Sequence, residues 1–238
     1  MDIKELALVG DDPERHWYYR SKAAALLQCL SGRPYLRVLD VGAGSAFFTR
    51  LLLERTNVQS GLCVDTGYAH DRDETIAGKT VSFRRSVESD RADLVLLMDV
   101  LEHVDDDAAL LSSYVSLVAP DATFLITVPA HQWLWSAHDD FLEHRRRYEI
   151  GPLEQLVSCT GLKVVSCHYY FGFVLPFAAS VRLAQRLVMR PGRTPQSQLR
   201  RHGQLTDNLL GALCRAELSI MESNRLAGLS IFCLARRV

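Results

Sequence analysis

Short apolar runs alternate along the chain with longer stretches of helical periodicity. We expect seven strands, over residues 36–41, 61–65, 81–85, 93–98, 122–128, 162–170 and 229–236. Strands separated by helical patterns are typical of βαβ units, and runs that are apolar throughout indicate strands buried on both faces of a parallel sheet. The pattern predicts an α/β fold with a seven-stranded, mostly parallel sheet and helices on both faces.

The helical stretches define the organisation around this sheet. We expect helices over residues 46–55, 105–118, 152–160, 173–190 and 205–222. No internal repeat or low-complexity linker divides the chain, so residues 1–238 are predicted to form one domain. Within it, residues 1–35 are a helical lead-in, and residues 171–225 are a helical cap or insert before the last strand.

Composition narrows the class of protein. Hydrophobic residues make up 48% and charged residues 23%, which is ordinary for a globular domain, and the net charge of −1 argues against a nucleic-acid binder. The six cysteines form no C-x-x-C pair, so we expect neither a disulfide framework nor a zinc site built on cysteines. The first 17 residues contain no apolar stretch after a basic start, so we expect no signal peptide and a cytoplasmic protein.

A glycine-rich turn follows the first predicted strand. Gly42 and Gly44 allow the backbone to approach a ligand closely, but Phe47 stands where a dinucleotide fingerprint has its third glycine. Asp40 precedes the turn, and a carboxylate there would repel a pyrophosphate and attract the ammonium group of a methionine moiety. The turn therefore favours S-adenosylmethionine (SAM) over a nicotinamide dinucleotide.

Two more acidic positions follow strands of the same sheet. Asp65 ends the second strand, where an acid accepts hydrogen bonds from ribose hydroxyls, and Asp99 follows the fourth. Ligands of open α/β sheets bind outside the carboxyl ends of the strands. We therefore expect both acids to lie at the same cleft as the glycine turn.

Together the segments D-V-G-A-G-S, the strand-two Asp65 and L-V-L-L-M-D-V-L-E-H-V resemble the class I SAM-dependent methyltransferases, and most of all a group of bacterial small-molecule methyltransferases. The resemblance covers roughly residues 15–150 and the final strand. It implies a Rossmann-like fold, SAM as cofactor and S-adenosylhomocysteine as product. His16-Trp17-Tyr18-Tyr19-Arg20 resembles the H-W-(W/Y/F)-x-x-R lead-in of that group, although the same residues also suit an amphipathic helix that packs its aromatic rings.

The resemblance assigns parts of the cofactor to particular residues. The methionine part is expected beside Asp40, Gly42, Ala43 and Gly44, and the ribose beside Asp65 and Thr66. The adenine is expected beside Ser86 and Val87, and the sulfonium beside Asp99, Val100 and His103. Tyr19 and Arg20 are expected to close over the cofactor. The chain departs from the family at Ser86-Val87, where many relatives have an acid that contacts the adenine amine; Glu88 is the nearest acid.

The segment after the fifth strand, residues 129–148, carries the predicted catalytic groups. It resembles the P-x-x-x-x-L-W-S-x-x-D-x-x-x-x-H-x-R-R-Y pattern of part of the group. Histidine suits a general base near neutral pH, and arginine binds carboxylate or phosphate through a planar fork. We therefore predict His138 or His144 as the base, with Arg146, among Arg145 to Arg147, and Tyr148 completing the acceptor site; Trp133 and Trp135 would form its walls.

Other interpretations of these residues stay open. The arginines can instead form ion pairs with Asp139 and Asp140 that hold the loop, and three consecutive arginines cannot all face one pocket. A metal site of Glu102, His103 and a loop histidine is a minor alternative, and no metal is expected.

No acidic residue occurs between Glu154 and Asp207, whereas Arg182, Arg186 and Arg190 recur every four residues on one helix face. A helical substrate cap is the favoured interpretation. Peripheral membrane contact through residues 171–201 is the alternative, since a basic helix beside apolar surface can lie on anionic lipid. RNA binding is disfavoured, because no RNA-binding module is recognisable.

These features predict a SAM-dependent methyltransferase that acts on a small-molecule or lipid-like acceptor, with an anionic group suggested by the arginines. A nicotinamide-dependent oxidoreductase and a non-catalytic SAM-binding protein remain the rivals. The acceptor, the methylated atom and the oligomeric state are left open by the sequence.

Overall fold

The computed structural model describes residues 13–188 and 203–238, and its centre is one eight-stranded sheet. The strands are β1 (Arg37–Val41), β2 (Ser60–Val64), β3 (Arg72–Ile76), β4 (Lys79–Arg84), β5 (Leu94–Met98), β6 (Thr123–Pro129), β7 (Leu162–Tyr170) and β8 (Ser230–Arg237). Their order is β3-β4-β2-β1-β5-β6-β8-β7. Pairing is parallel from β4 through β6, while β8 runs antiparallel between β6 and β7. The predicted fold class is confirmed.

The eighth strand, β3, was not expected from the sequence. Its residues are mostly charged, because it is an edge strand whose side chains are largely accessible to water. It forms an antiparallel hairpin with β4 through Ala77 and Gly78, whose φ angles of 52° and 74° are those of a tight hairpin turn. The seven-stranded prediction therefore missed a strand that lacks the apolar pattern of the buried ones.

Seven helices accompany the sheet in the described part of the chain. They are α1 (Trp17–Cys29), α2 (Phe47–Arg55), α3 (Asp107–Leu117), α4 (Ala137–Phe141), α5 (Ile150–Cys159), α6 (Leu175–Val188) and α7 (Gln204–Leu218). The predicted helices 46–55, 105–118, 152–160 and 173–190 correspond to α2, α3, α5 and α6. The helix predicted over 205–222 ends earlier, at Leu218, and a separate 3-10 turn follows over Met221–Ser223.

Helices cover both faces of the sheet, as predicted. On one face, Leu26 of α1 and Leu51 of α2 join Phe232 of β8 in a buried cluster. On the other, Leu111 of α3 and Leu153 of α5 lie in a second cluster with the strands. Burying apolar surface on both faces contributes most of the driving force for this architecture. The sheet is therefore the middle layer of three.

The strand order changes direction between β1 and β5. From β1 the chain proceeds to β2 and β4 on one side, and it then returns to β5 and β6 on the other. At such a switch point the loops after the two central strands diverge and leave a crevice at the carboxyl edge of the sheet. The turn after Val41 and the segment after Met98 border this crevice.

The helices α6 and α7 stand between β7 and β8, where the sequence predicted an insert. Of the basic residues predicted there, Arg182 is described, whereas Arg190, Arg193, Arg200 and Arg201 and the side chain of Arg186 lie outside the described residues. None of the helices described over 13–188 and 203–238 has the length and apolarity needed to cross a membrane. Peripheral membrane contact through 171–201 stays a prediction.

Candidate functional site

The turns after β1 and β5 touch at the switch point. Gly42 has a φ of 63°, and a Cβ atom placed on it would lie 2.8 Å from Cγ2 of Val100. The amide of Gly42 donates to the carbonyl oxygen of Val64, 2.8 Å away, which ties the turn to the end of β2. A side chain at position 42 would therefore separate the two loops, which explains the glycine physically.

The carboxylate of Asp65 organises the neighbouring backbone. Its Oδ2 accepts a hydrogen bond from the amide of Gly44 at 2.9 Å, and its Oδ1 accepts one from Gly67 at 2.8 Å. The side chain stays partly exposed, beside the exposed Thr66. Each oxygen retains a second lone pair, so both backbone contacts are compatible with the predicted bonds to ribose hydroxyls.

Asp40 is more deeply buried than a ligand-facing acid need be. It is 2% exposed, and its Oδ2 accepts a hydrogen bond from the hydroxyl of Thr49 on α2 at 2.7 Å. Burial raises the pKa of Asp40 to about 6, with the hydrogen bond from Thr49 opposing the rise. The carboxyl therefore connects the turn to α2, and its predicted role toward a methionine ammonium stays a prediction.

Asp99 has a partner that the sequence did not reveal. The fully buried ammonium of Lys22, on α1, contacts its Oδ2, and the hydroxyl of Thr127 donates to its Oδ1 at 3.0 Å. Burial alone would raise the pKa of Asp99, but Lys22 and these hydrogen bonds hold it below its ordinary value. The prediction from the sequence did not include Lys22. The signal that could have indicated it is a single lysine within an otherwise apolar helix face.

The remaining predicted cofactor residues are dispersed. Tyr19 is buried and packs edge-to-face on Phe47, with ring centroids 5.9 Å apart, as the amphipathic-helix interpretation requires. Arg20 pairs with Asp207 of α7 at 3.3 Å. Ser86 and Val87 follow β4, exposed and half-buried respectively. For Tyr19 and Arg20 these contacts favour anchoring of α1 over closure on a cofactor.

Asp139 is the centre of the loop after β6. This fully buried carboxylate accepts hydrogen bonds from Nδ1 of His144 at 3.0 Å and from Nε and Nη2 of Arg147 at 2.7 and 3.0 Å. It also accepts from the amide and hydroxyl of Ser136, which forms a capping box at the start of α4. Burial would raise the pKa of Asp139, but the bonds from His144 and Arg147 outweigh it and hold the pKa far below its ordinary value.

The other predicted catalytic residues differ in their surroundings. Arg146 donates to Asp107 and to the carbonyl oxygens of Val104 and Asp105, and the hydroxyl of Tyr148 donates to Asp107 at 2.7 Å. These contacts hold the loop to the start of α3 and favour the ion-pair interpretation for Arg146. Catalytic roles for Arg146 and Tyr148 stay predictions without support from their contacts.

The two candidate bases are no longer equivalent. Burial lowers the pKa of His138 to about 4, which makes its imidazole a weak base. The ring of His144 is oriented by Asp139 and lies edge-on to His103, with ring centroids 4.8 Å apart. The structure therefore favours His144 over His138.

Glu102 lies beside these two histidines. It is fully buried, and neither carboxyl oxygen has a hydrogen-bond partner within residues 13–188 and 203–238. Burial, together with the nearby Asp99, raises the pKa of Glu102 well above its ordinary value. Glu102, His103 and His144 bring one possible ligand atom each to within 4.8 Å of one another. These three residues are called the acceptor-side cluster below.

An open cleft of about 330 Å³ adjoins the same loop. It is lined by Trp133, Leu134, Ala179, Ser180, Arg182 and Leu183, so the loop after β6 and helix α6 form its two walls. Nη1 of Arg182 donates to the carbonyl oxygen of Leu134 at 2.7 Å, which joins the walls. The cleft is mainly apolar with one cationic side chain, and Trp133 is one of its lining residues. Its role as a wall of the acceptor site stays a prediction.

The fold and the turns around its switch point define an α/β protein with a crevice at the carboxyl edge of its sheet. A family model described as "Methyltransferase domain" matches residues 15–167. The chain belongs to this methyltransferase family, and the resemblance stated from the sequence is confirmed. The nicotinamide-dependent oxidoreductase is not favoured.

Curated relatives carry a more specific name. The chain is 29% identical over 136 residues to a "Ubiquinone biosynthesis O-methyltransferase" of Bradyrhizobium sp. (strain ORS 278), covering 51% of this chain and 53% of that protein. A protein of the same name from Rhodopseudomonas palustris (strain TIE-1) is 29% identical over 117 residues, covering 46% and 45%. The chain thus spans about half the length of the curated relatives it matches.

Solved structures share the fold at low sequence identity. A SAM-dependent methyltransferase from Archaeoglobus fulgidus is 14% identical with a TM-score of 0.56, covering 98% of each chain. A phosphoethanolamine N-methyltransferase from Haemonchus contortus, in complex with SAM, is 15% identical with a TM-score of 0.55, covering 91% of this chain and 52% of the other. These likenesses establish the fold.

Proposed function

We propose that this protein binds SAM and methylates a hydroxyl group on a small-molecule or amphiphilic acceptor. The observation that carries the proposal is the juxtaposition at the switch point: the glycine turn touches Val100, and the cluster begins two residues later at Glu102. Cofactor groups and proton-accepting groups thus belong to adjoining segments of one edge. The O-methyltransferase names of the relatives support a hydroxyl acceptor.

The turn after β1 suits SAM in two respects. Without a Cβ atom at Gly42, the turn packs directly on the side chain of Val100, which brings the segments after β1 and β5 together at the crevice where SAM would bind. The buried hydroxyl of Ser45, in the same turn, has no hydrogen-bond partner among the residues the structure describes, which leaves a donor and acceptor for a polar ligand group. Asp65 would hold the ribose, and Asp40 would attract the amino group.

When bound, SAM supplies an electrophilic methyl group, whose bond to sulfur breaks as its bond to the acceptor oxygen forms, leaving S-adenosylhomocysteine. The chain must hold the acceptor oxygen in line, take up its proton and exclude water. The acceptor-side cluster supplies the proton-accepting groups, with Asp139 orienting His144. Three residues before Glu102, the ion pair of Asp99 with Lys22 holds the segment after β5 to helix α1.

The apolar cleft between α6 and the loop after β6 suggests what the acceptor looks like. Trp133 and Leu183 would contact a hydrocarbon portion, while Arg182 would favour an anionic substituent. An aromatic alcohol with an alkyl substituent satisfies these requirements.

Cofactor choice is tested first, by thermal shift with SAM, S-adenosylhomocysteine and NAD at equal concentrations. We expect both adenosyl ligands to raise the melting temperature and NAD to leave it unchanged. Stabilisation by NAD alone would contradict the proposal and would support the nicotinamide-dependent oxidoreductase instead.

Methyl transfer is then measured with isotopically labelled SAM on matched acceptors: an alkylphenol, the same compound as its methyl ether, and the corresponding alkylaniline. Label on the phenol alone supports O-methylation, and label on the aniline alone contradicts it. His144→Ala should keep its SAM affinity and lose about 10²–10⁴-fold in transfer rate. His70→Ala, at an exposed site after β2, is the matched control and should keep both.

A further inference from the structure

We propose that Glu102, His103 and His144 form a binding site for one divalent transition-metal ion. Glu102 and His103 come from the 3-10 turn Leu101–His103 after β5, and His144 comes from the loop after β6. The site thus joins two segments that are 41 positions apart and that meet only in the folded chain. Their candidate ligand atoms all lie within 4.8 Å of one another.

The buried carboxyl group of Glu102 is the first argument for an ion. Both its oxygens lie away from solvent and accept no hydrogen bond from the described part of the chain. A buried polar group normally has a partner, because leaving it unsatisfied costs free energy. Lys22 and Arg147, whose positive charges act on Glu102, bond to other carboxylates: Lys22 contacts Asp99, and Arg147 donates to Asp139. A bound cation would satisfy the carboxylate.

The orientation of His144 is the second argument. Its Nδ1 is hydrogen-bonded to Asp139, which is itself fixed by Arg147, so Nε2 is the ring atom directed away from that carboxylate. Histidines that ligate metals commonly bond a carboxylate through their other ring nitrogen, which fixes the tautomer and raises ligand basicity. The arrangement Asp139–His144 has this form.

His103 completes the set of ligands. Its ring lies edge-on to that of His144, with an interplanar angle of 83°. One nitrogen of each imidazole lies within 4.8 Å of the other and of a Glu102 oxygen. Metal–nitrogen and metal–oxygen bonds of about 2.0–2.2 Å place tetrahedral ligands about 3.3 Å apart, so the cluster contracts by at most about 1.5 Å on binding.

The donor set selects the kind of metal. Two imidazole nitrogens and one carboxylate oxygen suit Zn²⁺, Fe²⁺, Co²⁺ or Mn²⁺, whereas Ca²⁺ and Mg²⁺ prefer all-oxygen sites. Three protein ligands leave at least one coordination position open. If the proposed function holds, an acceptor hydroxyl can occupy that position, where the ion would polarise it and ease loss of its proton to water. His144, whose two ring nitrogens would then be held by Asp139 and by the ion, would act as a ligand and not as the base.

The first experiment measures metal binding to the protein in the absence of SAM and acceptor. Protein stripped with a chelator is titrated with Zn²⁺ by calorimetry, and bound metal is counted by mass spectrometry after dialysis. We expect one ion per chain. Glu102→Gln and His144→Ala should each lower the affinity more than about 100-fold, beyond the 10–100-fold typical of outer-shell changes. His70→Ala should bind Zn²⁺ like the unmodified protein.

Two controls keep the result interpretable. Circular dichroism of each variant in metal-free buffer shows whether it folds. We expect Glu102→Gln to be about as stable as the parent, since it replaces one buried polar group without partners by another of the same shape. Co²⁺ then reports ligand type, and we expect d–d bands without thiolate charge transfer. A thiolate band, no stoichiometric binding, or equal binding by folded Glu102→Gln would overturn the site.

The proposed metal site and the proposed methyl transfer can be contradicted independently of each other. SAM affinity is measured on stripped protein, where the metal proposal predicts no change. Loss of transfer on stripping, restored by Zn²⁺, Mn²⁺ or Fe²⁺ but not by Ca²⁺, supports the ion at the acceptor. Stoichiometric metal binding in a protein that binds no SAM would contradict the proposed function and leave the metal site standing.

Discussion

The ammonium group of Lys22, on the helix that precedes the sheet, contacts the carboxylate of Asp99 at the end of β5. The lysine side chain is fully buried, and Nζ also lies 3.4 Å from the hydroxyl of Tyr18. Burial alone would lower the pKa of Lys22, but Asp99 more than offsets this and raises it above its ordinary value. The pair ties α1 to the switch point, at the residue predicted to face the sulfonium.

We expect Lys22→Met to lower the free energy of unfolding by about 2–3 kcal/mol, less than for a fully buried pair, because it leaves the Asp99 carboxylate, whose side chain is 33% exposed, without its counter-charge. Denaturant titration measures the loss. The control is Arg50→Met, whose partly exposed pair with Glu74 should contribute about 1 kcal/mol or less. The double variant Lys22→Met/Asp99→Asn should recover part of the loss; no recovery would mean that Lys22 stabilises α1 by packing alone.

Asp40 should reduce stability while serving the cofactor. Its pKa rises from 3.8 to about 6 on folding, so the folded state binds the proton more tightly than the unfolded state. Stability is therefore lost as pH rises from about 4 to 6, by about 3 kcal/mol in all, and the loss persists at higher pH.

We accordingly expect Asp40→Asn, which can keep the bond from Thr49, to be more stable than the parent at pH 8 and nearly equal to it at pH 4. The same variant should bind SAM at least about 10-fold more weakly, a loss of about 1.4 kcal/mol, since the amide lacks the charge. Denaturation at both pH values and calorimetry with SAM test the two halves. A parent more stable than the variant at pH 8 would show that the buried charge is compensated.

Asp65→Asn should weaken SAM binding with little effect on folding. Losing charge-assisted bonds to the ribose costs about 2–4 kcal/mol of affinity. Asparagine is preferred to alanine here because its amide oxygen can keep one of the bonds from Gly44 and Gly67. Asp73→Asn, on the exposed edge strand, is the comparison and should bind SAM normally. Equal affinities for SAM would remove Asp65 from the cofactor site.

Arg145 and Arg147 are sequence neighbours with opposite expected effects. Arg147→Met should destabilise the fold by about 3–5 kcal/mol, because its 4% exposed side chain pairs with the fully buried Asp139. Arg145→Met should change stability by less than about 1 kcal/mol, because its pair with Asp105 is exposed. Thermal unfolding of both variants measures the two losses of stability. Similar losses would show that the loop depends on total charge rather than on one buried ion pair.

The sequence by itself determined seven of the eight strands, the insert before the last strand and the glycine turn at the carboxyl edge of the sheet. Buried parallel strands need continuous apolar residues, and a tight turn against Val100 needs glycine at position 42. Both requirements are local, so they can be read from neighbouring residues. The edge strand β3 was missed for the same reason, because water on its outer face relaxes the apolar requirement.

Only the tertiary structure decided which of several similar residues share a site. Arg145, Arg146 and Arg147 look alike in sequence, yet they pair with Asp105, Asp107 and Asp139. Lys22 meets Asp99 across 77 positions. The partner and burial of an ionisable group depend on chain segments far away in sequence, and these two quantities determine its charge and its chemistry. That is why a sequence with two candidate bases folds into a structure that favours one of them, His144, and sets it beside Glu102.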